Sequence, residues 1–220
     1  MIDELLAFIA PHLCSGCQKL GPSLCDNCKN DIIEKSFSEC IVCRQRTLRG
    51  VCLDHNLRYQ QAWVVGIRQG VLQRSIDEFK FQYKRAHAPY LADLLHRKLP
   101  RLPRSAVLVP IPSSPAHVRE RGYDHIELIT QSLSHLTGLH MVKALGRHNT
   151  QTQHSADRSK RLLQAQSAFR VNVKLNPAHI YVIVDDVITT GSTIDQASRL
   201  LYVAGARLIF VVALARQPLD

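Results

Sequence analysis

The chain reads as an α/β protein: a parallel sheet flanked by helices, with a small metal-binding head at its N-terminus. Three observations predict this. From Trp63 onward, apolar runs of strand length alternate with amphipathic runs of helix length. The strand-length runs are apolar throughout, the pattern of strands covered on both faces. All seven cysteines fall between Cys14 and Cys52, and the composition changes near residue 56. A chain of 220 residues accommodates a head at 12–56 and a main domain at 57–220.

The elements follow in order. Residues 62–67 (AWVVGI) form a strand, and residues 71–81 an amphipathic helix with Val71, Leu72, Ile76 and Phe79 on one side. A second helix begins at Pro89, which suits a first helical position. It buries Leu91, Leu94, Leu95 and Leu99 before Pro100 stops it. Residues 106–111 (AVLVPI) form a short strand, followed by a loop and a helix over about 126–139 with the stripe Ile129, Leu133 and Leu136. Residues 147–161 are polar and nearly core-free, and loops of that length are usually functional or disordered. The chain closes with a strand at 180–184, a helix at 193–203 with Gly205 just beyond it, and a strand at 208–214.

Composition excludes several classes. An apolar share of 45% argues against a disordered chain. The longest apolar run, residues 208–215, is far short of the roughly 20 residues that span a bilayer. Asp3 and Glu4 replace the basic start of a secretory signal, and with the odd cysteine count this predicts a reducing, cytoplasmic setting. A net charge of +10 points to an anionic partner. Histidines other than His55 form no ligand pattern and read as surface, and Lys80 beside Phe79 and Phe81 reads as a lysine with its stem along apolar surface.

Cys14, Cys17, Cys25 and Cys28 form one quartet of two CxxC pairs. Cys40, Cys43, Cys52 and His55 form the next, with His55 where an eighth cysteine would stand. Four such ligands saturate a tetrahedral structural Zn²⁺. The spacing allows adjacent pairing, with four cysteines at one site and three plus a histidine at the other, or interleaved pairing, so one or two zinc ions are expected. With little apolar periodicity of its own, the segment is expected to draw much of its folding energy from metal.

The most informative stretch is Val182-Ile-Val-Asp185-Asp186-Val187-Ile-Thr189-Thr190-Gly191-Ser192-Thr193. A buried strand ends in two carboxylates, and a hydroxyl-rich turn opens into a helix. Free turn amides and the positive helix end make an anion cradle, and the carboxylates can accept from vicinal hydroxyls or hold hydrated Mg²⁺. A sugar phosphate satisfies both halves. No lysine follows Gly191 and no GxGxxG occurs, so this is neither a Walker loop nor a dinucleotide fingerprint.

This stretch resembles the signature of type I phosphoribosyltransferases, and the whole chain resembles the ComF family, a zinc head on a phosphoribosyltransferase-like domain linked to DNA uptake in natural competence. The resemblance implies that Asp185 and Asp186 contact ribose hydroxyls of 5-phosphoribosyl-1-pyrophosphate, bound with Mg²⁺. It implies that Val187 and Thr189, Thr190, Gly191, Ser192 and Thr193 belong to the same site. Val109-Pro-Ile-Pro112 with Arg119-Glu-Arg121-Gly122-Tyr123 resembles the family's pyrophosphate-facing segment, and Asp124-His125 departs from its Asn-Gln. Thr150, Gln153, Arg161 and Ala168-Phe169 resemble its lid region, to which Arg158 would also belong.

Two functions are then weighed. One is a protein that binds phosphoribosyl pyrophosphate and single-stranded DNA without sequence preference, required for import of transforming DNA and working beside the import machinery at the inner membrane face. The other is a phosphoribosyltransferase acting on a nucleobase-like acceptor, with Arg119 or Arg121 offsetting pyrophosphate charge. No acceptor pocket is identifiable from the sequence.

Overall fold

The structure is a computed structural model that describes residues 12–35, 37–82, 84–147, 169–171 and 173–218. In chain order its elements are β1 (His12–Leu13), β2 (Leu20–Gly21), α1 (Asp26–Glu34), β3 (Gln61–Ile67), α2 (Gly70–Phe81) and α3 (Ala88–Lys98). There follow β4 (Ala106–Pro110), α4 (Pro115–Arg121), α5 (His125–Thr137), β5 (His140–Met141), β6 (Leu145–Arg147) and β7 (Phe169–Val171). Last come β8 (Ile180–Ile188), α6 (Ser192–Val203) and β9 (Leu208–Arg216). Five strands form one parallel sheet in the order β3-β9-β8-β4-β5, as the uniformly apolar runs required.

Alternation along the strands divides the core in two. Val182 and Val184 of β8 join Leu72, Ile76 and Phe79 of α2, Leu91 and Leu95 of α3, and Ile129 and Leu133 of α5. Tyr181 and Ile183 turn the other way, toward Phe169 of β7 and Ile194, Ala197 and Leu201 of α6. The head straddles the β3 edge, with Cys14, Leu24, Cys28 and Ile32 in the first cluster and Cys40, Ile41 and Val51 in the second. The sheet edge is thereby covered, since the Ala62 amide donates to the Arg49 carbonyl at 2.9 Å. Gly50 permits that approach: its φ is +67°, and a Cβ there would stand 1.9 Å from the Ala62 carbonyl oxygen.

Three expectations are corrected. Leu136 is 47% exposed, and Ile126 at 2% completes the buried stripe of α5 instead. The segment after β4, expected as loop, contains a helix, α4. Ser114 caps it by accepting from the His117 amide, Pro115 opens it and Gly122 ends it at φ 75°. It buries no residue, so it has no apolar stripe by which to be read. Finally, β8 continues through Asp185 and Asp186 to Ile188, because β9 still pairs there (Val187 with Ala215, Ile188 with Arg216). Among the described residues no helix is long and apolar enough to cross a membrane.

Candidate functional site

The chain leaves β4 toward β5 on one side and leaves β8 toward β9 on the other, so β4 and β8 flank a switch in strand order. In open parallel sheets, ligands sit beyond the carboxyl ends of the strands at such a switch. Here β4 pairs with β8 only as far as Pro110 and Val184, while β8 runs on beside β9 to Ile188. The carboxyl ends of the two strands are bordered by residues 111–113 after β4 and by 185–193 after β8.

Asp185 and Asp186 lie on that border, 9% and 6% exposed, and strand alternation turns them to opposite faces. Asp186 meets Lys80 of α2, Nζ to Oδ2 2.5 Å, and His125 of α5, Nε2 to Oδ2 2.5 Å. Burial opposes its charge, but the Lys80 ammonium and the His125 hydrogen bond outweigh burial and hold the carboxyl well below its usual range. Asp185 is pushed upward, by burial first and by the Asp186 charge second. The two carboxylates are thus inequivalent, one firmly ionised and the other readily protonated.

A second tier of contacts fixes this arrangement. The Arg121 guanidinium stands 3.0 Å from His125 Nδ1 and can only donate, so Nδ1 accepts and the Nε2 proton faces Asp186. Ser113 Oγ also lies 3.0 Å from Nδ1 and 2.8 Å from Asp124 Oδ1. Asp124 in turn caps α5 through the Ile126 and Glu127 amides. The sequence predicts a snorkelling Lys80 and a surface His125. Both are site residues, and His87, also expected at the surface, is 2% exposed beside Glu78 and Ser15. The His125–Asp186 and His87–Ser15 contacts join residues 61 and 72 positions apart, beyond any local pattern, whereas His87 and Glu78 are near neighbours in sequence.

The 189–193 turn has the geometry of an anion cradle. Gly191 adopts φ 84°, a left-handed conformation that glycine alone takes at no steric cost, and a Cβ there would meet open space. The Ser192 amide is satisfied by Thr190 Oγ1 at 3.3 Å. Among the described residues the amides of Thr189, Thr190, Gly191 and Thr193 have no acceptor, and they lie at the start of α6, the positive end of its dipole. Thr189, Thr190 and Ser192 are exposed and add hydroxyls. Val187 is half-buried beside them.

Other expected site residues divide. Arg121 is brought to Asp186 through His125, whereas Arg119 is exposed and forms no ion pair among the described residues. Thr150, Gln153, Arg158, Arg161 and Ala168 lie outside the described residues. Phe169, just beyond them, packs under the Arg147 guanidinium at 5.0 Å.

The metal ligands gather in two sets, Cys14, Cys17, Cys25 and Cys28, and Cys40, Cys43, Cys52 and His55. Within each set all ligand atoms lie within 4.8 Å of one another. Tetrahedral Zn–S bonds of about 2.3 Å would separate sulfurs by roughly 3.8 Å. Cys17 and Cys25 Sγ are 3.8 Å apart, and Cys43 and Cys52 Sγ 3.5 Å. Of the two pairings left open, the adjacent one is what the structure holds. Burial opposes the Cys14 thiolate, yet amides of Cys25, Cys17 and Gly16 outweigh it and bring the thiol down to about 6. Cys40 reaches about 6 for the same reason, through the amides of Cys43, Val42 and Cys52. His55 Nε2 is buried with no hydrogen-bond partner among the described residues, as suits an imidazole placed among thiols. Both sets fit zinc.

No family model matches the chain. It is 30% identical over 217 residues to Competence protein F of Haemophilus influenzae, covering 93% of this chain and 90% of that protein. It is 28% identical to DNA utilization protein YhgH of Salmonella typhi, covering 89% and 97% of the two chains, and 25% identical to Competence protein ComFC of Streptococcus pneumoniae, covering 93% and 87%. A solved structure described as the allosteric regulatory enzyme of purine biosynthesis aligns with TM-score 0.45 and 16% identity, over 63% of this chain and 30% of that enzyme. A parallel α/β sheet with two cysteine-rich clusters at its edge that could each hold a metal ion is the class these features define. The chain belongs to the ComF family.

Proposed function

We propose that the region beyond the carboxyl ends of β4 and β8 binds a phosphoribosyl group, with phosphoribosyl pyrophosphate and Mg²⁺ as the ligand, and that the chain serves import of transforming DNA. The observation that carries the ligand reading is the turn itself, with free amides at a helix start directly after two inequivalent carboxylates at the switch point. The 5-phosphate sits on the amides of Thr190, Gly191 and Thr193, and Asp185 and Asp186 flank the ribose from opposite faces of the strand. The names of the relatives, which speak of competence and DNA utilization, support the role in DNA uptake. A net charge of +10 suits single-stranded DNA bound through its phosphates. On this reading a zinc-braced head at 12–56 serves a phosphoribosyltransferase-like domain at 57–220, on the cytoplasmic side beside the import machinery.

Calorimetric titration of phosphoribosyl pyrophosphate with Mg²⁺ tests the site. Charged hydrogen bonds contribute about 1.5–3 kcal/mol each. The double variant Asp185→Ala, Asp186→Ala is therefore expected to bind at least about 100-fold more weakly while keeping its folded circular-dichroism spectrum. The same variant should transform poorly in cells. Unchanged affinity would remove the ligand reading, and normal transformation with lost binding would separate ligand from role.

A further inference from the structure

We infer that the second metal set positions the phosphate-holding turn, acting through Arg216. The claim rests on the reading of residues 189–193 as that turn. Arg216, at the end of β9, is 5% exposed. Its Nε donates at 2.9 Å to the carbonyl of Ile41, which lies between Cys40 and Cys43. Its Nη1 donates at 3.0 Å to the carbonyl of Ile188, the residue just before Thr189. A parallel link runs beside it: Arg44 Nη2, one residue past Cys43, donates to the Gln217 carbonyl, and the Gln217 amide donates to the same Ile188 carbonyl at 2.9 Å.

Both lone pairs of one peptide oxygen at the mouth of the turn are thus held by donors that also grip residues 41–44. Packing repeats the connection, since Cys40, Ile41, Ile188 and Ile194 share one apolar cluster and bracket the turn. The planar guanidinium matters because its fixed fork addresses two carbonyls at once, which a lysine ammonium on a flexible stem cannot reproduce. The first metal set is tied elsewhere: Ser15, next to Cys14, bonds to Glu78 Oε2 at 2.9 Å and lies 3.0 Å from His87 Nε2, bracing α2. Arg216 is a positioning residue; it holds the strand end and leaves ligand contact to the turn.

Amide hydrogen exchange at Ile188, Asp195 and Gln217, whose amides are all bonded, reads the brace. In the full chain, Arg216→Met should raise exchange at these three at least tenfold and leave Val182 to Val184 unchanged, with Arg216→Lys intermediate. Cys43→Ser with His55→Ala should lose one metal equivalent and reproduce the loosening. Cys17→Ser should lose the other equivalent without moving these amides. Affinity for Mg²⁺–phosphoribosyl pyrophosphate should drop at least fivefold in the first and third variants. Unchanged exchange in the metal-depleted second set, or equal loosening by Cys17→Ser, overturns the inference. Should Arg216→Met fail to fold, Arg44→Ala and the metal variants decide it. Should the wild type bind no phosphoribosyl pyrophosphate, the ligand reading falls and exchange still decides the brace.

Discussion

Stripping metal with a strong chelator is expected to unfold the region 12–55 and to lower the melting temperature of the whole chain by about 10 °C or more. Structural zinc contributes apparent free energies of about 10–16 kcal/mol in small zinc domains. In a chain of this size each kcal/mol corresponds to about 2–4 °C. The effect spreads because the head has no core to itself: Cys14, Leu24, Cys28 and Ile32 lie in the cluster of α2 and α3, and Cys40, Ile41 and Val51 in that of α6. Metal analysis should give two equivalents per chain, one for each ligand set. Limited proteolysis before and after chelation checks the outcome. A cleavage pattern that did not change within residues 12–55 would show that the metal is dispensable to the fold.

Lys80→Met should destabilise the chain by about 3 kcal/mol at pH 7. Removing one partner of a buried pair leaves an uncompensated charge, at a cost of about 3–5 kcal/mol. The low end applies because the Lys80 side chain keeps 17% of its exposure and His125 remains on Asp186. The pH dependence has a definite sign. The folded Asp186 carboxyl is held below its ordinary value, so its contribution is present above the unfolded pKa and fades as pH falls toward the folded one. In Lys80→Met the carboxyl loses its main partner and takes up a proton more readily, so the gap from wild type narrows between pH 7 and pH 4. Denaturant unfolding at the two pH values measures it, and variant stability within about 0.5 kcal/mol of wild type would mean the pair contributes nothing.

The two effects also show what the sequence could and could not disclose. Every strand of four or more residues was legible because its run is apolar on both sides, and α2, α3 and α6 because their stripes face the sheet. The cysteine spacing named all eight candidate ligands but left their pairing open, and the acid pair was placed at the strand end, two residues short of where β8 stops. The misses share one cause. Polar groups buried in pairs depend on packing: Lys80 and His125 meet Asp186 at the end of the sheet, and the chain after α2 folds His87 back onto Glu78. Arg121 and His125 are only four residues apart, but they lie on different helices, α4 and α5, and meet across the break at Gly122. Arg216 lies just past the apolar run 208–215, and its two carbonyl partners lie 175 and 28 residues away. The extension of β8 past Asp186 was decided by β9 pairing, which no residue in β8 itself encodes.

The central claim is that a phosphate sits on the bend after β8. Two-dimensional ¹⁵N–¹H NMR during titration with Mg²⁺ and phosphoribosyl pyrophosphate tests it amide by amide. The account predicts the largest displacements at Thr190, Gly191 and Thr193, with smaller ones at Asp185 and Asp186. Saturating ligand that left those three resonances in place, or moved chiefly amides at the opposite end of the sheet, would contradict it.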